Sequence, residues 1–248
     1  MLKRSVSQAG DDAWLVYEQI LLAALDEGQI DLAKSILFIL DARFKDSQRV
    51  KRLSALVQES AGRPTDAKAL YLEMLDKDPT NVLASKRLIA ILKSQGQTSL
   101  AISELVTYLD THGNDFEAWI ELSHLYLAQH MYSQAAFCLE EVILLQPANH
   151  FFHLQYAELQ YTMGNLDLAL KEYLRVVELS TDNVRGFYGV KLTADRLMAE
   201  TKAAKKKENV PQPATLGRLS ELATERLVSA YNRAGDTPKK TAENWLKG

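Results

Sequence analysis

A single cysteine, Cys138, stands in a chain of 248 residues, so neither an internal disulfide nor a cysteine-rich zinc module can form. The formal net charge is -3, and without a basic excess there is no global field to gather nucleic acid. No Asn-x-Ser/Thr acceptor occurs, which removes one marker of the secretory lumen. A bilayer-spanning helix needs about 20 predominantly apolar residues. The longest uncharged stretch, Leu122 to Leu139, is broken by Ser123, His124, Gln129, His130, Ser133 and Gln134, and it reads as two amphipathic helices with a turn. At the N-terminus Lys3 and Arg4 are followed by polar residues and by Asp11 and Asp12, so no signal peptide is expected. Walker loops, Rossmann glycine fingerprints and Gly-x-Ser-x-Gly elbows are missing. The expectation is a soluble, non-catalytic chain suited to the cytosol, with no cofactor and no small-molecule substrate.

What is present is a repeat. Ala33, Ala67, Ala101, Ala135 and Ala169 follow one another at intervals of 34 residues. Gly28, Gly62, Gly96 and Gly164 share a second column, with His130 in the remaining unit. That column falls at the expected end of a first helix, where a left-handed residue caps the chain and glycine carries no Cβ penalty. The units then run 14–47, 48–81, 82–115, 116–149 and 150–183. Their spacing and pattern match the tetratricopeptide signature of Trp, Leu, Gly and Tyr on a first helix and Ala, Phe and Pro on a second. Unit four is the clearest, with Trp119, Leu122, Tyr126, Ala135 and Pro147. Pro79 and Pro147 are expected to close second helices, since proline cannot continue them. The fold class expected is all-α, a right-handed superhelical solenoid of tetratricopeptide repeats.

Residues 1–13 form a lead-in on this reading. Residues 184–200 are a partial sixth repeat helix, with Phe187 in the signature aromatic position. A basic, proline-containing linker over 201–215 carries Lys205, Lys206, Lys207, Pro211 and Pro213. Capping helices over 216–248 follow, the first with Leu216, Leu219, Ala223, Leu227 and Tyr231 at helical spacing, placed to cover the open end of the stack. A short last helix is expected after residues 235–238.

In such a solenoid the first helices line the concave side. The inward positions of units two and three hold Arg49, Arg52, Lys86 and Lys93 with Glu59 the one acid, and Lys51 and Arg87 lie alongside. In units four to six they hold Ile120, Leu127, Phe151, Leu154, Tyr161, Tyr188 and Leu192. The groove is expected to be basic early and apolar late. Two readings of the basic cluster stand side by side: a solvated face, or like charges that want an acidic segment or lipid headgroups as counter-ion. The apolar half either receives a partner or is covered by the chain's own C-terminal helix. On the partner reading, charge reversal at Arg52 and Lys86 weakens capture without unfolding the protein.

His150 and His153 lie three apart on one expected helix, yet no Glu completes a metal-binding His-Glu-x-x-His arrangement. A helix-start role for His150 and a partly buried His153 are expected, with no metal site. Cys138, inside Ala135-Ala136-Phe137-Cys138-Leu139, reads as a core thiol.

Several segments resemble the family of subunit 2 of the endoplasmic reticulum membrane protein complex. They are GDDAWLVYEQILLAALDEGQIDLA (10–33), RVKRL (49–53), DPTNVLASKRLIAILKSQG (78–96) and EAWIELSHLYLAQHMYSQAAFCLEEVILLQPANHFFHLQYAELQYTMG (117–164), extended by RGFYGVKLTADRL (185–197) and ERLVSAYNRAG (225–235). The resemblance implies a peripheral subunit on the cytosolic face of that membrane, soluble when unassembled. It implies a cradle for cytosolic parts of membrane-spanning subunits that also docks a soluble subunit, supporting insertion of tail-anchored and multipass proteins. Contact with the membrane is then indirect, and nucleic acid is no partner. The rival reading is a co-chaperone adaptor clamping the peptide tails of chaperones. Such clamps use Lys and Asn on the first unit's inner face, where this chain has Leu15, Glu18, Leu22 and Leu25, and Glu18 is expected to repel a carboxylate.

Overall fold

The computed structural model describes residues 12–203, 211–232, 240, 244 and 245. Twelve helices and no strand occur among them. They are α1 (Ala13–Asp26), α2 (Ile30–Arg43), α3 (Gln48–Ser60), α4 (Pro64–Lys77), α5 (Val82–Ser94) and α6 (Thr98–Thr111). Then come α7 (Phe116–Ala128), α8 (Tyr132–Leu145), α9 (His150–Met163), α10 (Leu166–Leu179), α11 (Val184–Ala203) and α12 (Pro213–Asn232). Most of the lysine-rich linker, and residues 235–238 before the last expected helix, lie outside the described residues.

The turns inside the helix pairs repeat one geometry. Gly28, Gly62, Gly96 and Gly164 have φ between 69° and 85°, and His130 takes φ 57° in the same column. After each, the next amide donates to a carbonyl five residues back: Gln29 to Ala24 at 2.7 Å, Arg63 to Gln58 at 3.0 Å, and Gln97 to Leu92, Met131 to Tyr126 and Asn165 to Gln160 at 2.9 Å each. This bond satisfies a helix-end carbonyl that has no intrahelical partner.

The helix starts carry a second column, absent from the sequence reading. Asn81, Asp115, Asn149 and Asn183, spaced by 34 residues, accept from the amides of Ala84 (3.1 Å), Ala118 (3.2 Å), Phe151 (3.1 Å) and Gly186 (2.8 Å). Each side chain caps the N-terminus of a first helix. Pro79 and Pro147 stand one residue beyond the C-caps Asp78 and Gln146.

The chain divides into two compact units, residues 1–108 and 109–248. In the first, the helices from α1 to α5 pack in sequence, α1 on α2, α2 on α3, α3 on α4 and α4 on α5, around Leu21, Ile36, Leu40, Val50 and Leu53 at one end and Ala67, Tyr71, Met74 and Ile91 at the other. In the second, α7 to α12 pack in sequence, and α9 also reaches α11. The alanine column has no exposed surface at any of its five members. A methyl group there lets the paired helices meet closely, and a larger side chain has no room.

In the second unit, α11 packs against α10 through glycine. A Cβ at Gly189 would stand 2.2 Å from the Tyr173 ring, and one at Gly186 would stand 2.9 Å from Val176 Cγ1. Between α11 and α12, Ser220 donates to Asp195 at 2.7 Å, and Lys191 Nζ lies 3.0 Å from the same carboxylate.

Candidate partner-binding faces

In the first unit, Arg49, Arg52 and Arg87 of the expected basic cluster form ion pairs between successive first helices. Glu18 on α1 is buried, and its carboxylate receives Arg49 Nη2 at 2.5 Å and Arg52 Nη2 at 3.1 Å from α3. Glu59 on α3 accepts the Tyr71 hydroxyl at 2.7 Å and Arg87 Nε at 3.1 Å, and a second Arg87 nitrogen reaches its other oxygen. Burial works against the charge of Arg87, and Glu59 outweighs it, holding the guanidinium above its usual range. Burial, with Glu59 alongside, raises Tyr71. Lys51 is drawn to the second helix α4, where its Nζ lies 2.8 Å from Glu73. Hydrogen bonds from Lys51 and Lys77 hold the Glu73 carboxyl down at about 2. Lys86 Nζ stands 6.0 Å from the Tyr108 ring centroid, and Lys93 is exposed on α5.

Two expectations are corrected here. Arg49, Arg52 and Arg87 do not stand as bare like charges, because Glu18 and Glu59 supply carboxylates from the neighbouring repeat, two acids against three guanidiniums. Reversal of Arg52 therefore strikes a pair with a buried acid and costs stability, so it is not a clean test of partner capture. Glu18, for its part, is held by two guanidiniums and presents no free charge to repel a ligand.

Beside this pair lies a cavity of about 270 Å³ between α1, α2 and α3. Trp14, Leu40, Phe44, Val50 and Leu53 form its walls, and Glu18 and Arg49 contribute the charged lining. Trp14 meets Phe44 edge-on, with ring centroids 5.3 Å apart. Leu15, Glu18 and Arg49 occupy inward positions of the repeat, whereas Trp14 and Phe44 fall outside them, Phe44 being delivered by the α2–α3 turn.

In the second unit, Leu154 is a core residue and cannot contact a partner. It is buried in one cluster with Leu170, Phe187, Leu216 and Leu227, against which Tyr161 and Tyr188 pack. The Tyr188 hydroxyl donates to that of Tyr231 on α12 at 3.3 Å, and its ring meets Trp245 at 4.7 Å. Arg196 covers the Tyr161 ring at 5.2 Å. Leu127 packs beside Ala135, Leu139 and Tyr156, and Ile120 is half-buried. The chain's own C-terminal segment thus covers part of the expected apolar face, while Phe151 and Leu192 stay exposed.

His153 is buried, with Nδ1 2.7 Å from Glu172 Oε2 and Nε2 3.0 Å from the Pro147 carbonyl, so both nitrogens are engaged. His150 opens α9, one residue after the Asn149 cap. Burial pushes the Cys138 thiol up to about 12, which removes thiolate reactivity. Among the described residues no group of three or more His, Cys, Asp or Glu could hold a metal ion, and no helix is long and apolar enough to cross a membrane.

The sequence over residues 35–172 matches the EMC2 TPR-like repeat domain. ER membrane protein complex subunit 2 of Xenopus tropicalis is 41% identical over 246 residues, covering 97% of this chain and 80% of that protein. TPR repeat protein oca3 of Schizosaccharomyces pombe is 35% identical over 193 residues, covering 76% and 68% of the two chains. Among solved structures, the C-terminal part of a TPR repeat-containing protein from Cytophaga hutchinsonii superposes with a TM-score of 0.66 at 13% identity, covering 96% of this chain and 91% of that one. MamA from Desulfovibrio magneticus RS-1 gives 0.52 at 19% identity, covering 70% and 98%. At these identities the two structures speak for the fold alone.

Proposed function

Because the chain belongs to the ER membrane protein complex subunit 2 family, we propose that it is a non-catalytic scaffold subunit of that complex on the cytosolic face of the endoplasmic reticulum membrane. There it holds cytosolic parts of the membrane-spanning subunits, docks a soluble subunit, and supports insertion of tail-anchored and multipass proteins. The observation that carries this reading is 41% identity sustained over 97% of the chain, which reaches past the generic repeat columns into α11 and α12. Helical repeats lend themselves to such a role, since stacked pairs present long faces of side chains to extended segments. The contact residues we propose are Arg49, Arg52, Lys86, Arg87 and Lys93 in the first unit, with Ile120, Leu127, Phe151, Tyr161, Tyr188 and Leu192 in the second.

Affinity purification of the tagged chain from membranes in mild detergent tests this. Recovery of the other complex subunits in near-equal amounts, with the chain released from membranes by alkaline carbonate, is the expected result. Recovery of soluble chaperones alone would overturn it in favour of an adaptor for chaperone tails.

A further inference from the structure

The cavity between α1, α2 and α3 has the chemistry of an anchor site. Its volume of about 270 Å³ falls just below the ~300–1,000 Å³ of small-molecule and cofactor sites, a size suited to one large side chain. The walls are apolar and rigidly held: Leu40, Val50 and Leu53 are all buried, and the Trp14–Phe44 edge contact fixes the two rings. Leu15 lies at the mouth with 51% of its surface exposed. Such a hollow on a face lined by an ion pair resembles the buried pocket and polar rim of a binding hot spot.

The rim sets the sign of the occupant. The Arg43 guanidinium sits 5.8 Å from the centroids of both Trp14 and Phe44, and Arg49 itself lines the cavity. Over residues 43–49 the chain carries Arg43, Lys45 and Arg49 against Asp46 alone. Among the described residues Glu18 is the only acid in the lining; it is buried and shared by Arg49 and Arg52, so its charge is more than met. An arriving carboxylate finds an excess of guanidinium, while a cation is repelled.

We infer that this cavity seats one large apolar side chain, aromatic or leucine, from an acidic extended segment of a membrane-spanning subunit. The inference rests on the scaffold role proposed above and specifies which chemistry the first unit's face selects. Arg49 pairs with the acid beside the anchor, and the anchor ring or isobutyl group stacks against Trp14 and Phe44.

The test is Leu15→p-benzoylphenylalanine in the full chain, incorporated in cells, photolysed in the assembled complex and read by mass spectrometry of the cross-linked peptide. The expected product joins this chain to a cytosolic segment of another subunit that carries Asp or Glu next to Phe, Tyr, Trp or Leu. Adding Arg49→Gln, which keeps the Arg52–Glu18 pair, should lower the cross-link yield several-fold with the complex still recovered. Recovery of the complex with no cross-link, or with a cross-link to a basic or uncharged segment, to lipid, or to this chain's own residues 1–11, overturns the anchor site alone. Unchanged yield with Arg49→Gln overturns the acidic character. Failure of the unsubstituted chain to bring down the other subunits overturns the scaffold reading and the anchor with it.

Discussion

The Tyr71 hydroxyl, on a side chain with no exposed surface, donates at 2.7 Å to Glu59, the carboxylate that also clamps Arg87 from the next repeat. One acid on α3 thereby ties together a second helix and the following first helix. Tyr71→Phe keeps the ring and removes one bond to a charged acceptor, a loss of about 1.5–3 kcal/mol. Urea unfolding followed by circular dichroism gives the value; a change under about 0.5 kcal/mol, within the usual range of a surface substitution, would mean the bond does nothing for the fold.

Alkaline pH exposes the same group. Burial raises Tyr71, Tyr156 and Tyr173 above the ordinary tyrosine range. In the unfolded chain they ionise near pH 10, so above that pH the unfolded state binds fewer protons than the folded one. Stability is fully present below about pH 10 and falls as pH climbs beyond it. The melting temperature should drop with a steep slope above pH 10, and Tyr71→Phe should make that slope shallower.

Glu18 and its two arginines form a unit. Glu18→Gln leaves Arg49 and Arg52 facing a neutral amide at a buried site. The expected cost is about 1–3 kcal/mol, held to the lower part of that range because Arg49, with 58% of its side chain exposed, can turn into water. Glu18→Gln and Arg52→Gln should be strongly non-additive in a double-mutant cycle. Additive losses would show that the pair is not coupled.

Two glycines that look alike in the sequence should respond for different reasons. Gly164 has φ 85° and open space around its Cβ direction, so Gly164→Ala suffers only the left-handed conformation, about 1 kcal/mol. Gly189 lies inside α11, where alanine is intrinsically favoured by about 1 kcal/mol. Its Cβ would nonetheless meet the Tyr173 ring at 2.2 Å, and Gly189→Ala should destabilise by about 1–3 kcal/mol through overpacking. In the first case the α10 core should be undisturbed in near-ultraviolet circular dichroism; in the second the tyrosine signal should change.

Ala135 has no exposed surface and lies in the alanine column. Ala135→Leu adds volume between α8 and its neighbours and should cost about 1–3 kcal/mol. An unchanged melting temperature would contradict the repeat register.

Much of the repeat architecture was legible because it is local. The glycine column names residues that must turn left-handed within one helix end, and His130 takes that conformation as well. The capping column Asn81, Asp115, Asn149 and Asn183 is equally local, since side chain and amide lie two or three residues apart, but it is polar and falls outside the apolar and glycine columns that define the repeat. Arg52 shows the limit. Its place one repeat after Glu18 was visible, but a column position does not say whether two charges bond or both face water.

The sequence by itself determined the 34-residue repeat, read from columns of identical residues, and the left-handed helix ends, which depend on residues within a turn of one another. Only the tertiary structure decided that Glu18 and Glu59 bond to the arginines of the basic cluster and that Leu154 belongs to the core beside α12. It also decided that Gly189 makes room for Tyr173 and that Trp14 and Phe44 close around a cavity. These outcomes depend on the distance between side chains on different helices, which packing sets and local propensity does not encode.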